Sequence, residues 1–228
     1  MVKINFLVYL CCMATTRKKN SPGKKENDGS TENKIKNAAR IVFHKKGFAA
    51  TRTRDIAEEA GINLALLNYY FRSKKKLFDI IMLESLQGFA RLIMEVFTNE
   101  QTSLDQKIET FADKHIELLL ANPDIPLFVL SELRENPGLL LSKIGGMDSA
   151  LQSHFIQQFN KAIKDGKIAS VHPLHFIMNM LAMTAFPFVA SPLLKGIGKL
   201  SGKDFDQLMQ ERKKLIPMWV TMMLKMKY

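Results

Sequence analysis

The sequence predicts an all-α protein: an N-terminal three-helix bundle with a helix-turn-helix, followed by a larger C-terminal helical bundle. Three observations predict it. Apolar residues recur three and four apart almost without interruption from residue 31 onward. The interruptions carry Gly, Pro and Asn. No stretch alternates apolar and polar residues as a strand does, and no internal repeat is visible.

The elements follow in order. Ile35, Ala38, Ala39, Val42 and Phe43 mark a first helix, with Thr31 as its N-cap candidate and Gly47 as its stop. Short helices are expected over 53–60 and 64–71, separated by Gly61. Ser73 then caps a long helix over 74–97, whose buried stripe is Leu77, Phe78, Ile81, Met82, Ser85 and Phe89. Amphipathic helices follow over 103–121, 124–135, 148–165, 173–190 and 204–225. They are broken at Asn122-Pro123, Asn136-Pro137-Gly138, Gly145-Gly146, Gly166, and a loop from Ser191 to Gly202. Pro173 suits a first helical turn, where its missing N–H has no intrahelical role. Pro187 and Pro217 are expected to kink or end their helices.

Charge divides the chain unevenly. The net charge is +11, and residues 1–97 hold 18 Lys and Arg against 9 Asp and Glu. A basic half beside a nearly neutral half points either to a polyanionic partner at one end or to a solvated surface. The two cysteines, Cys11 and Cys12, are adjacent, so no disulfide framework exists and a reducing compartment fits. The apolar run over 4–13 is too short for a spanning helix, which takes about 20 residues. It has signal-peptide length, yet the following Ala-Thr-Thr-Arg-Lys-Lys suits a secreted start poorly. Translation beginning at Met13, with residues 1–12 not translated, is the preferred expectation. Residues 1–30 then form a flexible basic arm, and Arg17, Lys18, Lys19, Lys24 and Lys25 either touch DNA or are simply solvated.

Residues 53–72 have the spacing of a helix-turn-helix. Ile56, Ala60, Ile62, Leu67 and Tyr70 are apolar where two crossing helices share a core, and Ala57 is small at the crossing. Gly61 occupies the turn, which needs a left-handed backbone. Asn63 can cap the second helix. Leu64, Ala65, Asn68 and Tyr69 remain on the far face, which in this motif enters the major groove. A plain helical hairpin has similar spacing. The flanking Arg52, Arg54, Arg72, Lys74, Lys75 and Lys76 favour DNA.

The segment ARIVFHKKGFAATRTRDIAEEAGINLALLNYYFRSKKKLFDII resembles the DNA-binding domain of the TetR (tetracycline-repressor-like) family. The marks are Gly47-Phe48, Thr51 to Thr53, Asp55-Ile56-Ala57, Ala60-Gly61-Ile62, Tyr69 to Lys74, and Leu77-Phe78. The resemblance covers residues 31–78 and leaves 79–228 as a ligand-sensing and dimerisation domain. It implies a sequence-specific transcriptional regulator, a repressor released by a small molecule. By resemblance Thr53 and Arg54 open a helix that contacts DNA backbone, and in some relatives a base. Asn63, Leu64, Ala65, Asn68 and Tyr69 fall on or beside the recognition helix, and Lys74 matches a phosphate-contacting lysine. Two positions depart from the family's pattern: Ala65 replaces the usual Gly, and Asn68 replaces a phosphate-contacting Tyr. An Ala methyl suits a thymine methyl, and Asn suits either adenine N6/N7 or a phosphate.

The resemblance also implies a homodimer on a near-palindromic operator and an unknown apolar or amphipathic effector. The cysteine usage, the short apolar run and the absence of a Cys/His cluster with zinc-site spacing lead to the expectation of a cytoplasmic protein with no membrane partner, cofactor or metal. Phe111, His115, Phe128, Phe155, Phe159, Phe176 and Met180 are candidate effector contacts, or else ordinary core. His172 and His175 are spaced for a metal but lack carboxylate or Cys partners nearby, and His172 also suits the cap of the helix opened by Pro173. No phosphate loop, nucleophile elbow or paired-carboxylate motif suggests an enzyme. A ligand-independent structural DNA-binding protein and, after it, a helical-bundle enzyme are the alternatives.

Overall fold

The computed structural model describes residues 26–135, 138 and 154–226. The basic arm up to residue 25, residues 1–12 within it, and the expected helix start at 148 lie outside the described residues. Among the described residues there are ten helices and no strand. They are α1 (Glu26–Ala50), α2 (Thr53–Glu59), α3 (Leu64–Tyr70), α4 (Lys74–Phe97), α5 (Leu104–Ala121), α6 (Ile125–Glu135), α7 (His154–Lys164), α8 (Pro173–Val189), α9 (Ser191–Gly198) and α10 (Gly202–Lys225). No single described helix is long and apolar enough to cross a membrane.

Two cores organise the chain. The first joins Ile35, Ala39 and Phe43 of α1, Ile56 and Ala57 of α2, Leu67 of α3, and Leu77, Phe78, Ile81 and Met82 of α4. Edge-to-face packing of Phe43 on Phe78, with ring centroids 5.0 Å apart, anchors its centre. The second joins Leu92, Val96 and Phe97 of α4 with buried residues of α5, α7, α8 and α10. One helix, α4, therefore enters both cores, its first turns in one and its last in the other. The first core runs on to Leu86, beyond residue 78 where the sequence places the boundary.

Side-chain caps fix the helix starts, at Ser73 as the sequence implies, while Ser201 starts α10 at Gly202 rather than at the expected 204. The Ser73 hydroxyl accepts from Lys76 N–H at 3.4 Å. Ser103 and Gln106 form a reciprocal capping box on α5, and Ser201 and Asp204 form another on α10. Each such cap contributes about 1 kcal/mol. His172 caps α8, its Nδ1 accepting from Leu174 N–H at 3.1 Å, so that ring nitrogen is engaged by its own helix.

Three boundaries differ from expectation. α1 begins at Glu26, so Thr31 lies inside the helix rather than at its cap. Residues 191–198 form a helix, α9, where the sequence predicts a loop. Pro192 fits its first turn, and Leu193, Leu194 and Ile197 recur at helical spacing despite two glycines. Pro187 does not end α8: the helix runs on to Val189 and only there turns by 69° into α9.

Pro187 nonetheless leaves its mark. A proline has no N–H for the carbonyl four residues earlier, here Met183. Arg212 of α10 supplies the missing donor, its Nη2 bonding to Met183 O at 2.8 Å while its guanidinium lies 5.3 Å from the Trp219 ring. α8 and α10 each carry large exposed apolar side chains. Leu174, Met178 and Phe186 lie along α8, and Met218, Trp219 and Met222 along α10.

Candidate nucleic-acid interface

Gly47 ends the straight part of α1 with φ 71° and ψ 177°, a conformation that penalises a Cβ. The chain then doubles back, and the Phe48 ring packs on Phe78 at 4.8 Å. Thr51, fully buried, donates its hydroxyl proton to Gly47 O at 2.7 Å. Asp55 locks the start of α2 by accepting the Arg52 N–H at 3.0 Å and pairing with Lys46 at 3.1 Å. The Arg52 N–H first, and Lys46 second, hold its carboxyl below the ordinary carboxylate range.

The corner between α2 and α3 is equally determined. Gly61 takes φ 60°, and Ile62 N–H donates to Ala57 O at 3.0 Å. Asn63 then caps α3, its Oδ1 accepting Leu66 N–H at 2.8 Å. Ile56, Ala57, Ala60, Leu67 and Phe71 close the shared core, so the two helices cross as the spacing requires. At about 100° per residue, burying Leu67 sends Ala65 and Tyr69 to the opposite side of α3, with Asn68 and Leu66 flanking them. Exposure agrees: Leu67 is 1% exposed and Tyr69 74%. Ala65 and Asn68 are also exposed, and Leu64 is half-buried at the helix start.

The sequence-derived DNA residues therefore fall into two groups. Ala65, Asn68 and Tyr69 share the open face of α3, and Arg54 is exposed near the start of α2 beside half-buried Thr53. Asn63 and Lys74 are engaged internally. Lys74 Nζ donates to Phe48 O at 2.8 Å and Thr51 O at 2.9 Å, and sits 4.2 Å above the Phe48 ring. It holds the start of α4 to the link between α1 and α2. Sequence reasoning missed this role because its partners lie more than twenty residues away and are carbonyls, which every residue has. It also missed Leu66, exposed beside the open face of α3. On the segments that flank α3 in sequence, Arg52, Arg54, Arg72 and Lys76 are exposed with no side-chain hydrogen bond among the described residues. Lys75 instead pairs with Asp79 at 3.3 Å.

Of the effector candidates, six come together and one does not. Phe111, His115, Phe155, Phe159, Phe176 and Met180 are buried in the second core. Phe155 lies 5.2 Å from Phe176 and Phe111 5.1 Å from His115, ring to ring. Phe128 of α6 belongs to the first core, 5.4 Å from Phe78 and 4.8 Å from the His44 ring. His115 Nδ1 lies 2.9 Å from Thr184 Oγ1, and that hydroxyl donates to Met180 O at 2.7 Å. The hydroxyl proton being committed, Nδ1 is assigned as the donor to Thr184. Burial pushes the His115 pKa down to about 4, and burial does the same to His44, so both rings are neutral near pH 7.

Residues 35–81 match the family described as bacterial regulatory proteins, tetR family. The chain is 26% identical over 198 residues to the HTH-type transcriptional regulator RutR of Escherichia coli K12, covering 85% of this chain and 92% of RutR. It is 33% identical over 78 residues to the Bacillus subtilis protein YttP, described as a probable HTH-type transcriptional regulator. That match spans 34% of this chain and only 38% of YttP. Among solved structures, the transcriptional regulator FadR from Bacillus subtilis in complex with stearoyl-CoA has a similar fold. Its TM-score is 0.54 at 18% identity, covering 80% of this chain and 96% of FadR.

Proposed function

Because this chain belongs to the tetR family of bacterial regulatory proteins, we propose that it is a DNA-binding repressor, not an enzyme, that releases its operator on binding a small molecule. One observation carries the DNA half of the reading. The outward face of α3, with Ala65, Asn68 and Tyr69 exposed, enters neither core, and the segments just before and after the corner carry exposed Arg52, Arg54, Arg72 and Lys76. Side chains on such a helix reach base edges in the major groove while the flanking cations meet phosphates.

A single seven-residue helix reads few base pairs, so two copies are needed, with half-sites about 34–36 Å apart. The exposed apolar side chains of α8 and α10 suit that pairing, since Met and aromatic residues favour interface cores. Operator binding of this kind takes place in the cytoplasm. The effector reading rests on the aromatic cluster of α5, α7 and α8, where His115 and Thr184 are the polar pair. FadR, of similar fold, holds stearoyl-CoA, which supports an apolar or amphipathic ligand here. A ligand that binds the DNA-free conformation more tightly lowers operator affinity by that difference.

Genomic footprinting with the purified protein at low ionic strength tests the reading. Paired, near-palindromic half-sites are expected, with affinity falling steeply as salt rises. A ligand screen for release then follows. A folded protein that protects no duplex at low salt overturns the regulator reading, and protection that no ligand relieves overturns the inducible half.

A further inference from the structure

The open face of α3 has an unusual chemistry for a groove reader. Residues 62–71 contain no Lys, Arg, Asp or Glu. Within α3 itself the exposed side chains are Ala65, Leu66, Asn68 and Tyr69: two apolar groups, one amide and one phenol. In the major groove guanine presents two acceptors, N7 and O6, best met by the donor forks of Arg or Lys. Cytosine presents a donor, best met by a carboxylate. α3 offers neither. Adenine presents one acceptor and one donor side by side, which the carbonyl and NH2 of an Asn amide match together. Thymine presents a methyl group, which an aliphatic side chain covers.

The two asparagines of the corner differ in what they leave free. The Asn63 oxygen is taken by the Leu66 N–H. Asn68 makes no side-chain hydrogen bond among the described residues and is exposed, so both ends of its amide are open to a base. Ala65 lies one turn before it on the same side of the helix, so the two bear on neighbouring base steps.

We infer that α3 reads A·T pairs, Asn68 taking an adenine edge while Ala65 and Leu66 cover thymine methyl groups. The inference rests on the regulator reading and names what that regulator recognises. The flanking arginines and lysines then supply affinity without sequence information. Arg54, on α2, lies off this face, and base pairs it meets are outside the inference.

The test is selection of binding sites from a random duplex pool with the full chain, followed by two perturbations. Half-sites with an invariant adenine are expected. Asn68→Ala should lower the preference for that adenine by about tenfold. Replacing thymine by uracil at the adjacent step removes only the methyl and should weaken binding about three- to fourfold. The uracil experiment needs no protein variant, and circular dichroism checks that the Asn68→Ala variant is folded. Guanine or cytosine at the α3 steps, indifference to uracil, or an Asn68→Ala loss equal on all sequences overturns the inference and leaves the regulator reading standing. A folded protein that binds no duplex in about 50 mM salt, where phosphate contacts are strong, overturns both.

Discussion

Lys74 looks from the sequence like one more phosphate contact, a lysine among lysines at a helix start. Its ammonium instead holds Phe48 O and Thr51 O and covers the Phe48 ring. The two roles make different predictions. A phosphate contact, when removed, lowers the salt dependence of DNA binding by about one released counterion. An internal clamp, when removed, lowers stability and leaves that slope unchanged. We expect Lys74→Met to cost about 1–3 kcal/mol in urea unfolding, as for hydrogen bonds from a charged donor. Operator titrations at several salt concentrations should show weaker binding with an unaltered slope. A shallower slope with unchanged stability would return Lys74 to the phosphate. The buried histidines supply a second residue-scale prediction. His44 and His115 are held near a pKa of about 4 by burial, below the ordinary 6.5. The unfolded chain therefore binds more protons between those values, and stability falls as pH drops from 6.5 toward 4. Urea midpoints measured at about pH 7 and about pH 5, on either side of the unfolded histidine pKa, read it out. His115→Gln should flatten the dependence. An unchanged difference in that variant would remove His115 as a cause.

Helix existence is legible wherever the apolar period is strong, as in α1, α4, α5, α8 and α10. The helix-turn-helix is legible residue by residue, because Gly61, Asn63 and the small Ala57 each answer a local requirement. What the sequence hides is interaction at long separation. Nothing near Arg212 says that it will serve a carbonyl on another helix. α9 is hidden for the opposite reason: its Gly196, Gly198 and Pro192 read as breakers, although Pro192 falls in the first turn, where a proline is tolerated. The pairing of Pro187 with Arg212 gives an element-scale prediction. Arg212→Met leaves the half-buried Met183 O without its donor, a loss of about 1 kcal/mol or more. Pro187→Ala restores a backbone N–H to the same carbonyl. In a double-mutant cycle read by urea unfolding, the Arg212 change should be milder in the Pro187→Ala background by about 1 kcal/mol or more. Strict additivity would mean that Arg212 acts through Trp219 packing alone.

At the scale of the molecule, the division into two cores is foreshadowed in the sequence by a change in charge and motif, but the seam is not. The sequence places the boundary at 78, whereas α4 carries the first core on to Leu86 and then enters the second. The six clustered effector candidates share an apolar period that also marks ordinary core, so their gathering follows from packing whatever they bind. Phe128 shows the limit most clearly. It has the same period and residue type as the others, yet it fills the first core, at the N-terminal head, and only the path of α6 across α1 decides that.

Phe128 also settles how the protein can be dissected. Phe43 and Phe78 from within the head, and Phe128 from α6, complete its aromatic wall together with His44. A fragment ending at residue 97 would keep every residue of the DNA-reading corner and lose that last ring. Emptying such a site is worth about 3–5 kcal/mol in a folded core, a large share of what a domain so small possesses. The severed head should therefore melt well below the full chain, bind a fluorescent apolar dye at its wound, and recover when a peptide spanning residues 122–135 is added. A fragment as stable as the whole would mean that the borrowed ring is ornamental.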